Sequence, residues 1–521
     1  MKKNIKWLLF VGAIALTGCN SDCKYNEAVA PDPTTAGTAN FAKYVALGNS
    51  LSAGFSDNAL FIEGQKGSYT NIMSQQFAQV GGGEFRIPFM LDNIGGFNFG
   101  GSTVPGAGPR LIFNGAAPVP VAAIPSTPLG ARLTTGPFNN MGVPGAKSFH
   151  LLSTSYGNQA GIGTTANPYF VRMSTSNTAS IIGDAMAQAP TFFSLWIGNN
   201  DVLSYATTGG TGVNQTGNFN PATYGGNDIT DPTVFNNVYT TLTNTLTSAG
   251  AKGVVSNIPY VTSVPFFTTV PTNPVPLTAA QIAPLNNLFG NLNSLFNFLG
   301  ETTPRFVTLS STSNNALLIV DETLTPRAAQ ITAALTPSFG PALAAAIGNI
   351  MSQARHARNT VGNSDYILLT TRGVIGQPAN GADPNTTVTV PPAGPFNILG
   401  VSYPLVDRHV LTADETNQVK VATDAYNASI LSIANTKGLA FVNSNAVLAQ
   451  VATPMGFSAN GFTITSAFVT GGGFSLDGVH PSPRGYALIA NKFLEAINAK
   501  YGSNFTGVNL GNYRILYNSS I

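Results

Sequence analysis

Charge, cysteine, tryptophan and histidine are all scarce in this 521-residue chain: 9% of residues are charged, with two Cys, two Trp and four His. The 24 Lys and Arg nearly balance the 22 Asp and Glu, and no basic cluster stands out, which excludes nucleic acid as an electrostatic partner. Cys19 and Cys23 are the only cysteines, so no disulfide framework supports the fold. The histidines, His150, His356, His409 and His480, are dispersed, and HxH, HExxH and CxxC are absent. No metal site and no cofactor are therefore expected. Gly (55) and Pro (34) are abundant, as in a loop-rich secreted protein with polar, uncharged surfaces.

The N-terminus reads as a processing signal. Lys2, Lys3 and Lys6 precede the apolar run Trp7 to Leu16, whose ten residues are too few to span a bilayer as a helix. Leu16-Thr17-Gly18-Cys19 then resembles a bacterial lipobox. In that reading residues 1–18 are a signal peptide and Cys19 is acylated, which anchors the chain to the bacterial cell envelope, with the outer membrane the expected site. The alternative is an ordinary signal peptide with an incidental Cys. Loss of Lys2, Lys3 and Lys6 takes the formal charge from +2 to −1. Residues 19–40 are expected to be a lipidated tether, and no other apolar stretch long enough to cross a membrane is evident.

The rest alternates strands and helices, the pattern of a parallel sheet with crossovers. Strands are expected at Phe41–Leu47, Thr191–Ile197, Lys252–Asn257 and Leu439–Asn443. Helices are expected at Ser68–Val80, Pro232–Ala249, Thr412–Asn435 and Pro483–Lys500. Two stretches break the rhythm. Residues 81–140, rich in Gly, Pro and Phe, read as an irregular insertion. Residues 262–400 read as a larger one, a lid or side domain, with helical patches at Ala279–Leu299 and Pro326–Ala357 and a strand at Tyr366–Thr370. The core thus divides into 41–261 and 401–521.

Three motifs carry chemistry. Gly48-Asn49-Ser50-Leu51-Ser52 follows the first strand, where a strand-to-helix turn exposes a hydroxyl at the carboxyl edge of a parallel sheet. The competing role for Ser50 is a helix N-cap. Gly198-Asn199-Asn200-Asp201 follows the second strand, and the Asn200 amide can donate to an oxyanion there. Asp477-Gly478-Val479-His480-Pro481 precedes the last helix, with Pro483 in its first turn, and sets an Asp beside a His. Each motif has an echo. Gly362-Asn363-Ser364 precedes its strand rather than following it, Gly226-Asn227-Asp228 has no strand before it, and Asp407-Arg408-His409 has a shorter spacing and no helix cap at once after it.

Together these motifs resemble blocks I, III and V of the SGNH (GDSL) hydrolases. Asn140-Met141-Gly142-Val143-Pro144-Gly145 resembles block II, with Gly145 the matching oxyanion donor ahead of Gly142. The resemblance implies a flavodoxin-like parallel sheet flanked by helices, a metal-free site and an acyl-serine mechanism. It further implies that Ser50 attacks, His480 takes its proton and Asp477 orients His480. The N–H groups of Ser50 and Gly145 and the Asn200 side chain would hold the oxyanion. The chain departs from the family pattern at Asn49, where the family has Asp. The matched blocks and their flanking elements cover about half the chain, so the large insertions stand outside the resemblance. The expected substrate is a carboxylic ester, an acyl lipid first. An acylated glycan is the alternative substrate: the lack of tryptophan platforms weighs mildly against it, since Trp7 is in the leader and Trp196 in a core strand, while sixteen Tyr keep it open. A non-catalytic surface binding lipoprotein is a further alternative.

Overall fold

The structure, a computed structural model, describes residues 33–379 and 396–521. The lipobox, Cys19 and Cys23 lie outside the described residues.

Five strands form one parallel sheet: β1 (Tyr44–Gly48), β2 (Asn140–Gly142), β3 (Phe192–Trp196), β4 (Lys252–Ser256) and β5 (Ala440–Val442). Their order across the sheet is β5-β4-β3-β1-β2. This is a doubly wound order, and its switch point lies between β1 and β3, where ligands bind in such sheets. The principal helices are α1 (Ser50–Ala53), α2 (Tyr69–Ala78), α3 (Ile181–Met186), α4 (Asn200–Thr207), α5 (Pro232–Thr247), α6 (Ala279–Phe298), α7 (Ala328–Met351), α8 (Ala413–Lys437), α9 (Ser444–Val451) and α10 (Pro483–Tyr501).

Strand alternation sorts the core into two layers. Val45, Leu47, Phe193, Leu195 and Val255 face α3, α5 and α8. Tyr44, Ala46, Phe192, Trp196, Val254 and Val442 face α2 and α10. Both faces are covered, as a parallel sheet requires. The helix ends follow local chemistry. Asp231 caps α5, which starts at Pro232; Thr412 and Glu415 form a capping box on α8; Gly438 ends α8 in the left-handed conformation.

Residues 81–140 carry only short hairpins, Asn98–Phe99 with Ser102–Thr103 and Leu111–Phe113 with Pro118–Pro120, before the chain enters β2. The large insertion has its own hydrophobic cluster, running from Val270 to Val410 and built on α6, α7 and Leu318–Val320. Leu318–Val320 pairs outside the main sheet, and the cluster includes Tyr403, Leu405 and Val410, which follow residue 400. Its polar centre is Arg355, 2% exposed, which donates to Asp321 (2.5 Å) and Asp365 (2.6 and 2.9 Å). Asp365 also accepts from the N–H of Ala413 (2.9 Å), which fastens the unit to the start of α8.

Several expectations change. The helical patch 326–357 ends at Met351, because Ala354–His356 leaves the helix to pair antiparallel with Leu318–Val320. The strand at 366–370 shrinks to Tyr366–Ile367, paired with Val410–Leu411 outside the main sheet. The end of the tether is not free: Thr35 and Thr38 N–H donate to Asn504 Oδ1 and Tyr501 O, and Ala39 is buried. By length and composition α7 is apolar enough to cross a membrane, which the sequence reading did not anticipate. It is nonetheless broken at Gly340 (φ +74°), and Ile331, Leu335 and Ile347 pack into the insertion core.

Candidate active site

The carboxyl ends of β1 and β3 lie side by side, Gly48 opposite Trp196, so the two loops that follow them share one pocket. Asn49, not Ser50, caps α1: its Oδ1 accepts from Leu51 N–H at 3.0 Å. Ser50 is thereby the first helical residue, 6% exposed, with its hydroxyl released from capping. Gly142 of β2 packs against this turn, where a Cβ would stand 2.3 Å from Ala53 N, so no side chain fits.

The end of the chain supplies the other half. Ser482 caps α10 through Gly485 N–H, with Pro483 at its first position. The loop before it brings His480 Nε2 to 2.8 Å from Ser50 Oγ and His480 Nδ1 to 2.9 Å from Asp477 Oδ2. Gly478, at φ +72°, lets the loop turn so tightly that Asp477 Oδ1 accepts from Val479 and His480 N–H, each at 2.8 Å. Asp477 Oδ2 accepts in addition from Asn58 N–H (2.9 Å). Burial pushes the Asp477 carboxyl up, but His480 and the N–H groups of His480 and Val479 outweigh it and hold the group at about 2. A serine hydroxyl, a ring nitrogen and an ionised carboxylate are thus in line, which is an arrangement able to move a proton off the hydroxyl.

The Gly198–Asp201 motif holds three loops together. Asn199 Oδ1 accepts from Asn49 Nδ2 (3.2 Å). Asn200 Nδ2 donates to Ala146 O (2.9 Å), which leaves the second amide hydrogen for another acceptor. Asp201 is fully buried and accepts from Ser148 Oγ (2.7 Å) and Ser148 N–H (2.8 Å). Burial pushes its carboxyl up, and Ser148 and Lys147 oppose the shift. Gly145, at φ +80°, sits exposed in the loop so anchored, one residue before the carbonyl that Asn200 holds.

Ser50, Asn199, Asn200 and His480 line a single cavity of about 120 Å³. Its walls are mostly apolar: Trp196, Val447, Leu448 and Val451 of α9, Ile464, Phe474, and Leu488 and Ile489 of α10. Of the 262–400 segment only Ser263's neighbour Val264 reaches the lining. The insertion instead touches the outside of the His480 loop, through Phe266 N–H on Gly478 O (2.9 Å). Neither α6 nor α7 lines the cavity.

The echoes are elsewhere. Ser364 lies in a small hairpin and donates to Thr360 O; Asn227 is exposed and donates to Thr211 Oγ1. His409 is buried at the end of a short 3₁₀ turn, Asp407–His409, and does not line the Ser50 cavity. His150 and His356 use Nδ1 to accept from Lys147 and Val307 N–H, and burial pushes them down to about 3 and about 4. Among the described residues no group of three or more His, Cys, Asp and Glu is placed to hold a metal ion. Sequence reasoning missed Asn199, Asp201, Ser148 and Asn58. Only the motif position of Asn199 and Asp201 offered a signal.

No protein-family model, no curated protein and no solved structure matches the chain.

Proposed function

We propose that the protein is a serine ester hydrolase that cleaves carboxylic esters through an acyl-serine intermediate. The observation that carries this reading is the chain of hydrogen bonds from Ser50 Oγ through His480 to Asp477, at 2.8 and 2.9 Å. As Ser50 Oγ attacks the acyl carbon, His480 Nε2 takes its proton. The oxygen that becomes negative meets Ser50 N–H, Gly145 N–H and the free hydrogen of the Asn200 amide. His480 then protonates the departing alcohol, and afterwards activates the water that frees the acid from Ser50. The strand order, 2-1-3-4-5 in chain numbering, and the four blocks support membership of the SGNH (GDSL) hydrolases with their flavodoxin-like sheet.

The apolar walls from α9 and α10 favour an acyl chain as the group held, hence a lipase or esterase acting on acyl lipids. An O-acetyl group on a glycan would leave most of this apolar wall unused. With Cys19 acylated, the enzyme would work from the cell envelope.

A panel of p-nitrophenyl esters from acetate to palmitate tests the reading, together with a fluorophosphonate probe. Hydrolysis and covalent labelling at Ser50 are expected, with a preference beyond acetate. Absence of both turnover and labelling in folded protein would leave the non-catalytic binding role. Mass spectrometry of the native N-terminus tests the anchor: an acylated Cys19 is expected, and an unmodified terminus would refute it.

A further inference from the structure

Four consecutive residues just past the Ser50 helix grip the loop that carries Asp477 and His480. Phe55 O accepts from Tyr486 Oη (2.7 Å), and the Phe55 ring lies 4.7 Å from the His480 ring. Ser56 Oγ donates to Pro481 O (3.0 Å). Asp57 N–H donates to Ser475 Oγ, and Asp57 Oδ1 accepts from Leu476 N–H, both at 2.9 Å. Asn58 N–H donates to Asp477 Oδ2, the same oxygen that meets His480 Nδ1.

The backbone is bent to reach these partners. Ser56 and Ala59 exchange both main-chain hydrogen bonds, so Asp57 and Asn58 are the central pair of a two-residue turn. Both have positive φ, 50° and 64°, as a type I′ turn demands. Asp and Asn bear that region better than other side-chain-bearing residues. Asp57 is 1% exposed, and its Oδ2 has no hydrogen-bond partner among the described residues. The charged and titratable groups facing it are Asp477, Arg110 and Tyr517. Arg110 spends its donors on the carbonyls of Asn93, Leu111, Asn518 and Ser519, not on this carboxyl.

We propose that Asp57 is a positioning residue for Asp477: its turn aims the Asn58 N–H at the Asp477 carboxylate, and its own buried carboxyl governs the Asp477–His480 pair through its charge. The proposal rests on the ester-hydrolase reading of the site. Burial pushes the Asp57 carboxyl up to about 7; Leu476 N–H and Arg110 pull it down and Asp477 pushes it further up. While Asp57 is neutral, it adds no charge next to the Asp477 carboxylate. Once Asp57 ionises, a second negative charge stands beside the Asp477–His480 pair.

The test follows the His480 ring by NMR in the full chain labelled with ¹⁵N-histidine, where only four histidines contribute. Wild type, Asp57→Asn and Asp57→Ala are titrated, and kcat/KM for p-nitrophenyl butyrate is measured across the same pH range. Asp57→Asn keeps an acceptor for Leu476 N–H and imitates the neutral carboxyl. Its His480 ring signals should lack the change near pH 7 that Asp57 ionisation gives the wild type, and its kcat/KM profile should lack the same step. Asp57→Ala, which drops the Leu476 contact, should lose about tenfold in kcat, and Asp57→Asn should restore most of that. Identical pH dependence of the His480 ring signals in wild type and Asp57→Asn would overturn the proposal, as would an Asp57→Ala enzyme with wild-type rate and pH profile. The NMR arm needs no turnover. A difference between wild type and Asp57→Asn in the His480 ring signals near pH 7, in a chain that hydrolyses no ester, would refute the hydrolase reading and leave the coupling standing.

Discussion

The side-chain amide of Asn49 donates to Oδ1 of Asn199 at 3.2 Å, joining the loop after β1 to the loop after β3 at the switch point of the sheet. The same Asn49 caps α1 through Leu51. An Asp at this position, the residue of the SGNH pattern, can still cap α1, and the Asn199 amide can turn over to donate to it. Asn49→Asp should therefore stay active, with kcat/KM within about tenfold of wild type. Asn49→Ala loses both bonds and should cost about 1 kcal/mol of stability, as lost caps do. Urea denaturation and steady-state kinetics of the two variants check this. An inactive but folded Asn49→Asp enzyme would mean that the amide itself is required.

Ser50→Ala and His480→Ala should each reduce ester hydrolysis by several orders of magnitude, to the residual level of sites that lose one member of a triad. His409→Ala should keep its rate in whatever fraction folds, because His409 is buried outside the cavity. Probe labelling that maps to Ser364, or equal losses from His409 and His480, would show that the wrong motifs have been joined.

Asn200→Ala should lower kcat by about two to three orders of magnitude with little change in KM, the pattern of a lost oxyanion donor. Asn227→Ala serves as the comparison, since that side chain lies on an exposed loop against Thr211. Circular dichroism must accompany the kinetics, because Asn200 also holds Ala146 O. A rise in KM with unchanged kcat would make Asn200 a binding group instead.

The parts of this architecture that were legible in the sequence are those encoded locally. β1, β3 and β4 are apolar runs with clear ends, and α2, α5 and α10 show both periodicity and caps. Ser50, Asn200 and His480 could be read because each stands directly after such a strand or before such a helix. β2 could not be read: three residues, Asn-Met-Gly, have no alternation, and they form a strand only because β1 offers a parallel partner. Ala354–His356 leaves its helix for a similar reason, a partner at Leu318–Val320. Asp57 and Asn58 look like ordinary turn residues, and their meaning lies in contacts 418 and 419 positions away in the chain. Spacing carries no trace of that.

Two carboxyls of the site should pull the acid stability in opposite directions. Asp477 is held at about 2, below its ordinary 3.8, so its contribution is present above pH 4 and is lost as pH falls towards 2. The shift amounts to about 2 kcal/mol. Asp57 is raised to about 7, so the fold favours its neutral form, and that contribution is lost as pH rises from 4 through 7. Denaturant midpoints across pH 2–8 should show Asp477→Asn flattening the acid end and Asp57→Asn flattening the neutral end. Parallel curves for all three proteins would contradict both assignments.

Control of acyl length should reside in α9 and α10, not in the large insertion. Val447, Leu448, Leu488 and Ile489 wall the cavity, while α6 and α7 contribute nothing to it. The position of α9 is fixed from the sheet: Asn257, at the end of β4, accepts from Asn445 N–H (3.0 Å) and donates to Asn443 Oδ1 (2.9 Å). Val447→Phe places a ring where an acyl chain would lie. It should reduce activity on octanoate and longer esters by about tenfold relative to acetate, on the scale of a few lost methylene contacts. Leu335→Ala opens a hole in the insertion's own core and should cost about 2–5 kcal/mol of stability. The fraction that remains folded should keep the wild-type ratio of long- to short-chain rates. A Val447→Phe enzyme with an unchanged ratio, beside a Leu335→Ala enzyme with an altered one, would place substrate choice in the insertion. The Phe266–Gly478 contact would then be the path, since it joins that unit to the loop of His480.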